Sequence, residues 1–107
     1  MKLTIADRLN ILYGGLLPEK ANMETMALSK DVKEKLIFTT EQMEEIGLET
    51  LENGTLKWKD SKDKEDYDIE LKPKELVMLD KQVTELDGKN EITTHLLTIC
   101  QKIKEAV

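Results

Sequence analysis

Along most of the chain, apolar residues recur every three or four positions, which is the spacing of one face of an α-helix. The C-terminal segment shows this pattern most strongly: Thr93 stands at an N-cap position, and the apolar positions after it are Leu96, Ile99, Cys100, Ile103 and Val107. A second segment begins with Pro73 and ends at Gly88, with apolar positions at Leu76, Leu79, Val83 and Leu86. Proline is favoured in the first turn of a helix and glycine just after its last turn. Both segments are therefore predicted to be helices.

Two capping-box patterns predict the starts of shorter helices. Thr4 with Asp7 forms the first pattern, and Thr39 with Gln42 forms the second. An apolar stripe follows each box, and each stripe is followed by glycine, which readily adopts the left-handed conformation that ends many helices. The glycines are Gly14-Gly15 for the first helix and Gly47 for the other, which is predicted to have only two turns.

A further helix is predicted between these two. Asn22 is its expected N-cap, and the helix is predicted to reach about Ile37. Its apolar positions are spaced by four residues: Leu28, Val32 and Leu36. Ser29 is an alternative cap that would start a shorter helix, and the longer version is preferred.

Two other segments alternate apolar and polar residues, and they are Thr55–Lys59 and Tyr67–Leu71. Alternation over this length predicts half-buried β-strands. Asn53-Gly54 introduces the first strand as a turn, and a charged connection of residues 60–66 joins the two strands. An antiparallel hairpin is the simplest arrangement, with one face made of Leu56, Trp58, Tyr67, Ile69 and Leu71. Because a lone hairpin is marginal in water, that face is predicted to lie on the helices.

The predicted fold class is therefore α+β and mostly helical, with about five helices and one antiparallel β-hairpin packed on them. Residues 1–107 are expected to form a single domain, since this length suffices for one core and not for two ordinary ones. Only four residues are aromatic, so the core is expected to consist mainly of Leu, Ile, Met and Val. Such a core suits packed helices better than stacked sheets.

The formal charge of −6 is concentrated in the middle third of the chain. Residues 1–39 carry a balance of +1, residues 40–71 carry a balance of −7, and residues 72–107 are neutral. Nucleic-acid binding needs positive charge, and preferably the planar fork of arginine. This chain has one arginine among its 16 cations. Direct nucleic-acid binding is therefore not expected.

Three features predict a location in a reducing cytoplasm. No run of about 18 apolar residues occurs, so no membrane span is predicted. The first eight residues carry charges where a signal peptide needs an apolar stretch. The single cysteine, Cys100, has no partner for an internal disulfide and lies in an apolar helical stripe.

Residues that commonly carry catalysis or bind metals are scarce. His95 is the only histidine, and Cys100 lies five residues further on, about 140° around the same helix, so the two do not form a local nucleophile pair. One cysteine and one histidine are too few for a zinc site within one chain. A calcium loop is also not predicted, because the required spacing and central glycine are absent from Asp60, Asp63, Asp66 and Asp68. No catalytic residue, cofactor or metal ligand is predicted, and the chain is not expected to be an enzyme.

The acidic middle third and its tryptophan form the candidate interaction surface. Trp58 alternates in step with Leu56, which favours a core position, although tryptophan is also common at interaction hot spots. The acidic residues also have two interpretations, a charged face that keeps a small protein soluble or a docking surface. The candidate surface consists of Glu44, Glu45, Glu49, Glu52, Trp58, Asp60, Asp63, Asp66 and Asp68.

Particular segments of the chain, taken with the order of its elements, carry a resemblance to known proteins. The segments are Ile5-Ala6-Asp7-Arg8-Leu9, Leu17-Pro18-Glu19-Lys20, Val32-Lys33-Glu34-Lys35-Leu36 leading to Phe38-Thr39-Thr40-Glu41, the lone Trp58, and Ile69-Glu70-Leu71 before a long helix. Together they resemble small uncharacterised proteins encoded in bacteriophages and prophages. The similarity covers most of the chain, and its matching positions are mainly caps, stripe residues and turn residues, so no functional residue is carried over. It implies a mobile-element origin and a binding role.

Two functional hypotheses follow from the sequence. The first is a small non-enzymatic adaptor that acts by docking to a protein partner, with self-association into a homo-oligomer as an open alternative. The second is an acidic inhibitor that mimics nucleic acid and blocks a host DNA- or RNA-binding protein. Binding of the second kind is driven by opposite charge and should weaken steeply as salt rises. The four lysines within residues 40–71 count against it.

Overall fold

The computed structural model describes residues 1–107 and confirms the predicted fold class, which is α+β and mostly helical. The five helices are α1 (Ile5–Tyr13), α2 (Met23–Leu36), α3 (Thr40–Ile46), α4 (Pro73–Gly88) and α5 (Thr94–Ala106). The four short strands are β1 (Lys2–Leu3), β2 (Glu49–Thr50), β3 (Leu56–Lys57) and β4 (Tyr67–Asp68). A single 3₁₀ turn, Asp60–Lys62, lies between β3 and β4.

The helix starts agree with the caps predicted from the sequence. Both capping boxes form, with the Thr4 hydroxyl accepting from the Asp7 amide and the Thr39 hydroxyl accepting from the Gln42 amide. The Asn22 side chain accepts from the Thr25 amide at 2.8 Å, so the longer version of the second helix is confirmed. At the end of α3, glycine takes the left-handed conformation with φ 68°.

The strand pairing differs from the predicted hairpin. The two predicted strands do not pair with each other: β3 pairs with β2, and β4 pairs with β1, both antiparallel. Short loops close at a smaller entropic cost than long ones, and the Asn53-Gly54 turn brings β2 and β3 together across only five residues. Gly54 has φ 83°, and the Asn53 side chain accepts from the Thr55 amide at 3.0 Å. The predicted pairing is wrong because Asn53-Gly54 is itself a hairpin turn, which gives β3 a partner nearer in sequence than β4.

The buried side chains form two clusters on either side of α1. The larger cluster has 12 buried residues and fills the space where α1, α2, α4 and α5 meet. The smaller cluster consists of Ile5, Leu9, Phe38 and Ile46 and lies beneath the β2–β3 hairpin. The predicted apolar strand face is divided between the clusters: Leu56, Trp58 and Tyr67 pack on the smaller one, whereas Ile69 and Leu71 pack on the larger one.

Arg8 is buried between α1 and the end of α2. Its side chain is 2 % exposed, and its Nε and Nη2 groups donate to the carbonyl oxygen of Leu36 at 3.0 and 2.8 Å. Nη2 also donates to the carbonyl of Ile37 at 3.3 Å. The guanidinium lies 3.8 Å from the ring centre of Phe38 and 5.2 Å from that of Tyr67. Arg8 therefore supplies hydrogen bonds to carbonyl groups that a helix end leaves without partners.

Two buried carboxylates pair with lysines of distant elements. Asp7, on α1, forms an ion pair with Lys102 of α5. Glu75, in the first turn of α4, is fully buried and accepts from Lys35 Nζ of α2 at 2.6 Å and from the Lys72 amide at 2.7 Å. These pairs tie α1 to α5 and α2 to α4.

The Glu75 pair predicts a loss of stability in acid. Burial acts to raise the pKa of the Glu75 carboxyl, but the hydrogen bonds from Lys35 and Lys72 and their positive charge outweigh it and lower this pKa below its ordinary value. The stabilisation is therefore complete above the ordinary glutamate pKa, about 4.3, and is lost as pH falls towards the lower folded value. In urea unfolding at about pH 6, we expect Glu75→Gln to lose about 1–3 kcal/mol.

The matched control for this experiment is Glu105→Gln, at an exposed position on α5 that makes no ion pair. We expect Glu105→Gln to follow the wild type at every pH. The difference between Glu75→Gln and the wild type should shrink as pH falls from about 6 to about 3. A difference that stays constant over this range would contradict the role assigned to the ionised carboxylate.

Candidate functional site

The eight acidic residues predicted as an interaction surface are all exposed, but they do not converge on one site. They lie on α3, on β2, in the β2–β3 turn, in and beside the 3₁₀ turn, and at β4. Three of them are engaged: Glu45 pairs with Lys62 at 3.8 Å, Asp68 pairs with the N-terminal amine at 3.4 Å, and Asp63 accepts from Trp58. The five that make no ion pair or side-chain hydrogen bond are Glu44, Glu49, Glu52, Asp60 and Asp66.

Trp58 is half-buried, with its ring packed against the smaller cluster. Its indole Nε1 donates to Asp63 Oδ1 at 3.0 Å. Buried tryptophan N–H groups normally find such a partner. The side chain therefore anchors residues 58–63 to the smaller cluster.

A groove of about 580 Å³ opens above the smaller cluster, and most of its lining is apolar. We call it the apolar groove. One wall is the C-terminal half of α1, and the other consists of α3 and the β2–β3 hairpin. Leu9 and Phe38 are buried beneath it, whereas three large apolar side chains along it remain open to solvent: Tyr13 (71 % exposed), Ile37 (53 %) and Met43 (38 %).

Local structure explains how Ile37 and Met43 come to lie along the groove. Ile37 follows the last residue of α2 and has an extended backbone, φ −65° and ψ 142°, so it leaves the buried stripe of that helix. Arg8 holds its carbonyl group. Phe38 and Met43 stand at the N′ and N4 positions of α3, as in a hydrophobic staple. Arg8 and this staple therefore fix the groove where α2 joins α3.

The walls of the apolar groove carry negative charge. The segments that form it, residues 5–13 and 37–57, contain five exposed glutamates and one exposed lysine, Lys57, a balance of −4. The charges of Asp7 and Arg8 cancel in this balance, and both residues are buried. Among the side chains that line the groove, Glu49 is the only charged one, and its partner across the strand pair is Lys57.

The apolar part of this site was not predicted from the sequence. The sequence does contain a pattern that places Tyr13 on the apolar face of α1. Ile5, Leu9 and Tyr13 are spaced by four residues, so Tyr13 extends that face by one turn. Ile37 gives a weaker signal, as an apolar residue directly after the stripe of α2. What the sequence does not show is that α1 and the α2–α3 junction pack side by side.

The residues considered for catalysis lie apart from the groove. His95 is exposed at the start of α5, where its backbone carbonyl accepts from the Asn10 side chain at 3.0 Å. Cys100 is 3 % exposed, and its burial raises the pKa of its thiol, which disfavours the reactive thiolate. No group of three or more His, Cys, Asp or Glu side chains is placed to hold a metal ion.

Comparisons with protein-family models, with curated proteins and with solved structures found no match to this chain. The resemblance to phage and prophage proteins therefore remains a prediction. No helix in the structure has both the length and the apolar character needed to cross a membrane.

Proposed function

We propose that the protein is a non-enzymatic docking module that binds a segment of another protein in the apolar groove. One observation carries the proposal: the exposed apolar side chains Tyr13, Ile37 and Met43 are grouped around a single concave site. Small soluble proteins seldom leave apolar side chains grouped in this way unless a partner covers them. The other large exposed apolar side chains do not line the groove, and they are Met23, Leu51, Val77, Leu97 and Val107.

The chemistry of the groove supports binding over catalysis. Its lining contains one titratable acid, Glu49, one tyrosine and no histidine, lysine or cysteine. Acid–base catalysis usually needs a pair of convergent titratable groups in a pocket. An aromatic, an aliphatic and a methionine side chain around an apolar floor are instead typical of the centre of a protein interface.

The cellular setting is part of the same proposal. The absence of an internal disulfide and the resemblance to phage and prophage proteins support an adaptor that acts in the bacterial cytosol. In that setting the partner is a protein of the host or of the mobile element.

Substitution of Ile37 by aspartate tests the proposal directly. Ile37→Asp places a charge in the lining of the groove, while Leu97→Asp makes the same change at a similarly exposed position on α5 outside it. In affinity purification from bacterial lysate, a specific partner should be retained by the wild type and by Leu97→Asp. Ile37→Asp should lower its recovery at least about tenfold, as expected for an interface hot spot.

Two results would contradict this proposal. The first is equal recovery of every co-purifying protein by Ile37→Asp and Leu97→Asp, after circular dichroism has verified that both variants are folded. The second is a concentration-dependent dimer, seen by analytical ultracentrifugation, that Ile37→Asp abolishes. That result would assign the groove to a second copy of the chain.

A second candidate function is the acidic mimic of nucleic acid. It is favoured by five exposed carboxylates without ion pairs and by the balance of −7 over residues 40–71. The same affinity purification distinguishes the acidic mimic from docking in the groove. Recovery of a nucleic-acid-binding protein that falls steeply with salt, is lost in Glu44→Lys/Glu52→Lys and is unaffected by Ile37→Asp would support the mimic. The dispersal of the acids over several elements makes it the weaker candidate.

A further inference from the structure

The exposed charge on the segments that form the apolar groove is mostly negative, with Lys57 as the one exposed lysine. The exposed glutamates of α3 and the β2–β3 hairpin are Glu41, Glu44, Glu45, Glu49 and Glu52. Only Lys62 pairs with any of them, at 3.8 Å from Glu45. Arg8, the one cation of α1, is buried, with its guanidinium directed to backbone carbonyl groups. Because Arg8 is buried in this way, it does not neutralise the glutamates on the walls of the groove.

On the side of Tyr13, the negative charge ends at the edge of the apolar groove. A larger groove of about 1,010 Å³ shares Leu12 and Tyr13 with the apolar groove. Its lining is mostly polar and of mixed charge, with four lysines and three glutamates. The surface on one side of Tyr13 is therefore apolar and acidic. The surface on the other side is polar, and its charge is nearly balanced.

We propose that the occupant of the apolar groove is a cationic amphipathic segment of a partner protein. Its apolar side chains insert between Tyr13, Ile37 and Met43, and its lysines or arginines face Glu49 and Glu52. An anionic segment would meet Glu49 in the lining and approach four further exposed glutamates on α3 and the β2–β3 hairpin, whereas a neutral segment would gain nothing from these charges. This inference rests on the proposed function, since it names the chemistry of the segment that docks there.

The two parts of the site are expected to act on different steps of binding. Complementary surface charge speeds the encounter and makes it sensitive to salt, whereas the buried apolar contacts set the lifetime of the complex. Charge reversal at Glu49 and Glu52 should therefore lower mainly the association rate. Ile37→Asp should mainly raise the dissociation rate.

Selection from a random peptide library tests the inference without a known partner. Peptides are selected on the wild-type protein, and those that also bind Ile37→Asp are discarded. The peptides that depend on the groove should combine apolar residues with an excess of Lys and Arg. The same selection on Glu49→Lys/Glu52→Lys should lose that excess.

The failures of the two proposals are distinguishable in this experiment. Groove-dependent peptides without an excess of Lys and Arg would overturn the inference on charge and leave docking in the groove intact. If no selected peptide depends on Ile37, both the inference and the proposed function are overturned.

A matched pair of synthetic peptides gives the quantitative result. A selected peptide and its counterpart with every Lys and Arg replaced by Glu are compared by fluorescence anisotropy. We expect the cationic peptide to bind at least about tenfold more tightly, with its affinity falling between about 50 and 300 mM salt as screening increases. Glu49→Lys/Glu52→Lys should abolish this preference, while Glu105→Lys on α5 should leave it unchanged. Equal affinity of the two peptides for the wild type would overturn the inference.

Discussion

Removal of residues 93–107 is expected to unfold the protein completely. The segment contains α5, which contributes Leu96, Ile99, Cys100 and Ile103 to the larger cluster and packs on α4 and α1. Burial of one large aliphatic side chain stabilises a fold by about 1.5–3 kcal/mol. Loss of three of them removes an amount similar to the whole stability of a small domain, about 5–15 kcal/mol. Circular dichroism of the truncated chain should show loss of most of the helical signal.

A point substitution measures the same effect in a chain that still folds. Ile103 is fully buried, and Ile103→Ala should lower the free energy of unfolding by about 2–5 kcal/mol in a urea titration. Leu97, on the same helix, is 46 % exposed, and Leu97→Ala should cost less than about 0.5 kcal/mol. A truncated chain that stays folded and loses only self-association would contradict this account and would make α5 an interface.

Arg8→Ala is the second substitution with a large expected effect. It leaves the carbonyl groups of Leu36 and Ile37 without their donor and removes the contacts of the guanidinium with Phe38 and Tyr67. A buried acceptor left without a partner costs about 1–3 kcal/mol, and a desolvated cation–π contact contributes about 2 kcal/mol. We expect the free energy of unfolding to fall by about 3–5 kcal/mol.

Arg8→Lys is the control that separates the charge of Arg8 from its geometry. Lysine keeps the positive charge but lacks the planar fork that donates from two nitrogens to one carbonyl. We therefore expect Arg8→Lys to lose more than half of the stability that Arg8→Ala loses. Urea unfolding followed by the fluorescence of Trp58 measures both variants. An unfolding free energy of Arg8→Ala within about 0.5 kcal/mol of the wild type would show that the buried arginine does not hold the α2–α3 junction.

The helices were predictable because their signals are local. Thr4, Asn22, Thr39 and Thr93 each accept from a backbone amide within the first turn, so a few neighbouring residues decide where a helix begins. The core stripes followed from the 3.6-residue period, with Ile99 and Ile103 fully buried as expected. Val107 is the exception, at 60 % exposed, because α5 ends at Ala106.

Strand partners were not predictable in the same way, because pairing joins residues that are distant in sequence. β1 is two residues long and has no periodicity of its own, and it pairs with β4 through Leu3 opposite Tyr67. The alternation in the two predicted strands indicated extended backbone correctly in Leu56–Lys57 and Tyr67–Asp68, but it carried no information about the partner.

The negative charge near the candidate site was visible in the sequence, but the apolar groove was not. Negative charge in residues 40–71 is visible in the sequence, and Glu49 lines the groove, while Glu44 and Glu52 lie on α3 and in the β2–β3 turn without ion pairs. Tyr13 and Ile37 come together only because α1 packs against the end of α2, where Arg8 is buried. No local pattern encodes that contact. Arginine prefers the surface, so the burial of Arg8 also has no signal in the sequence.

Chemical-shift mapping of the ¹⁵N-labelled protein with a bound groove-selected peptide tests the central claim most directly. We expect the largest amide shifts around Tyr13, Ile37, Met43 and the β2–β3 hairpin, with little change at Val77 and Leu97, whose side chains are also exposed and apolar. Shifts centred on α4 or α5, with the groove residues unchanged, would contradict the assignment of the apolar groove as the docking site.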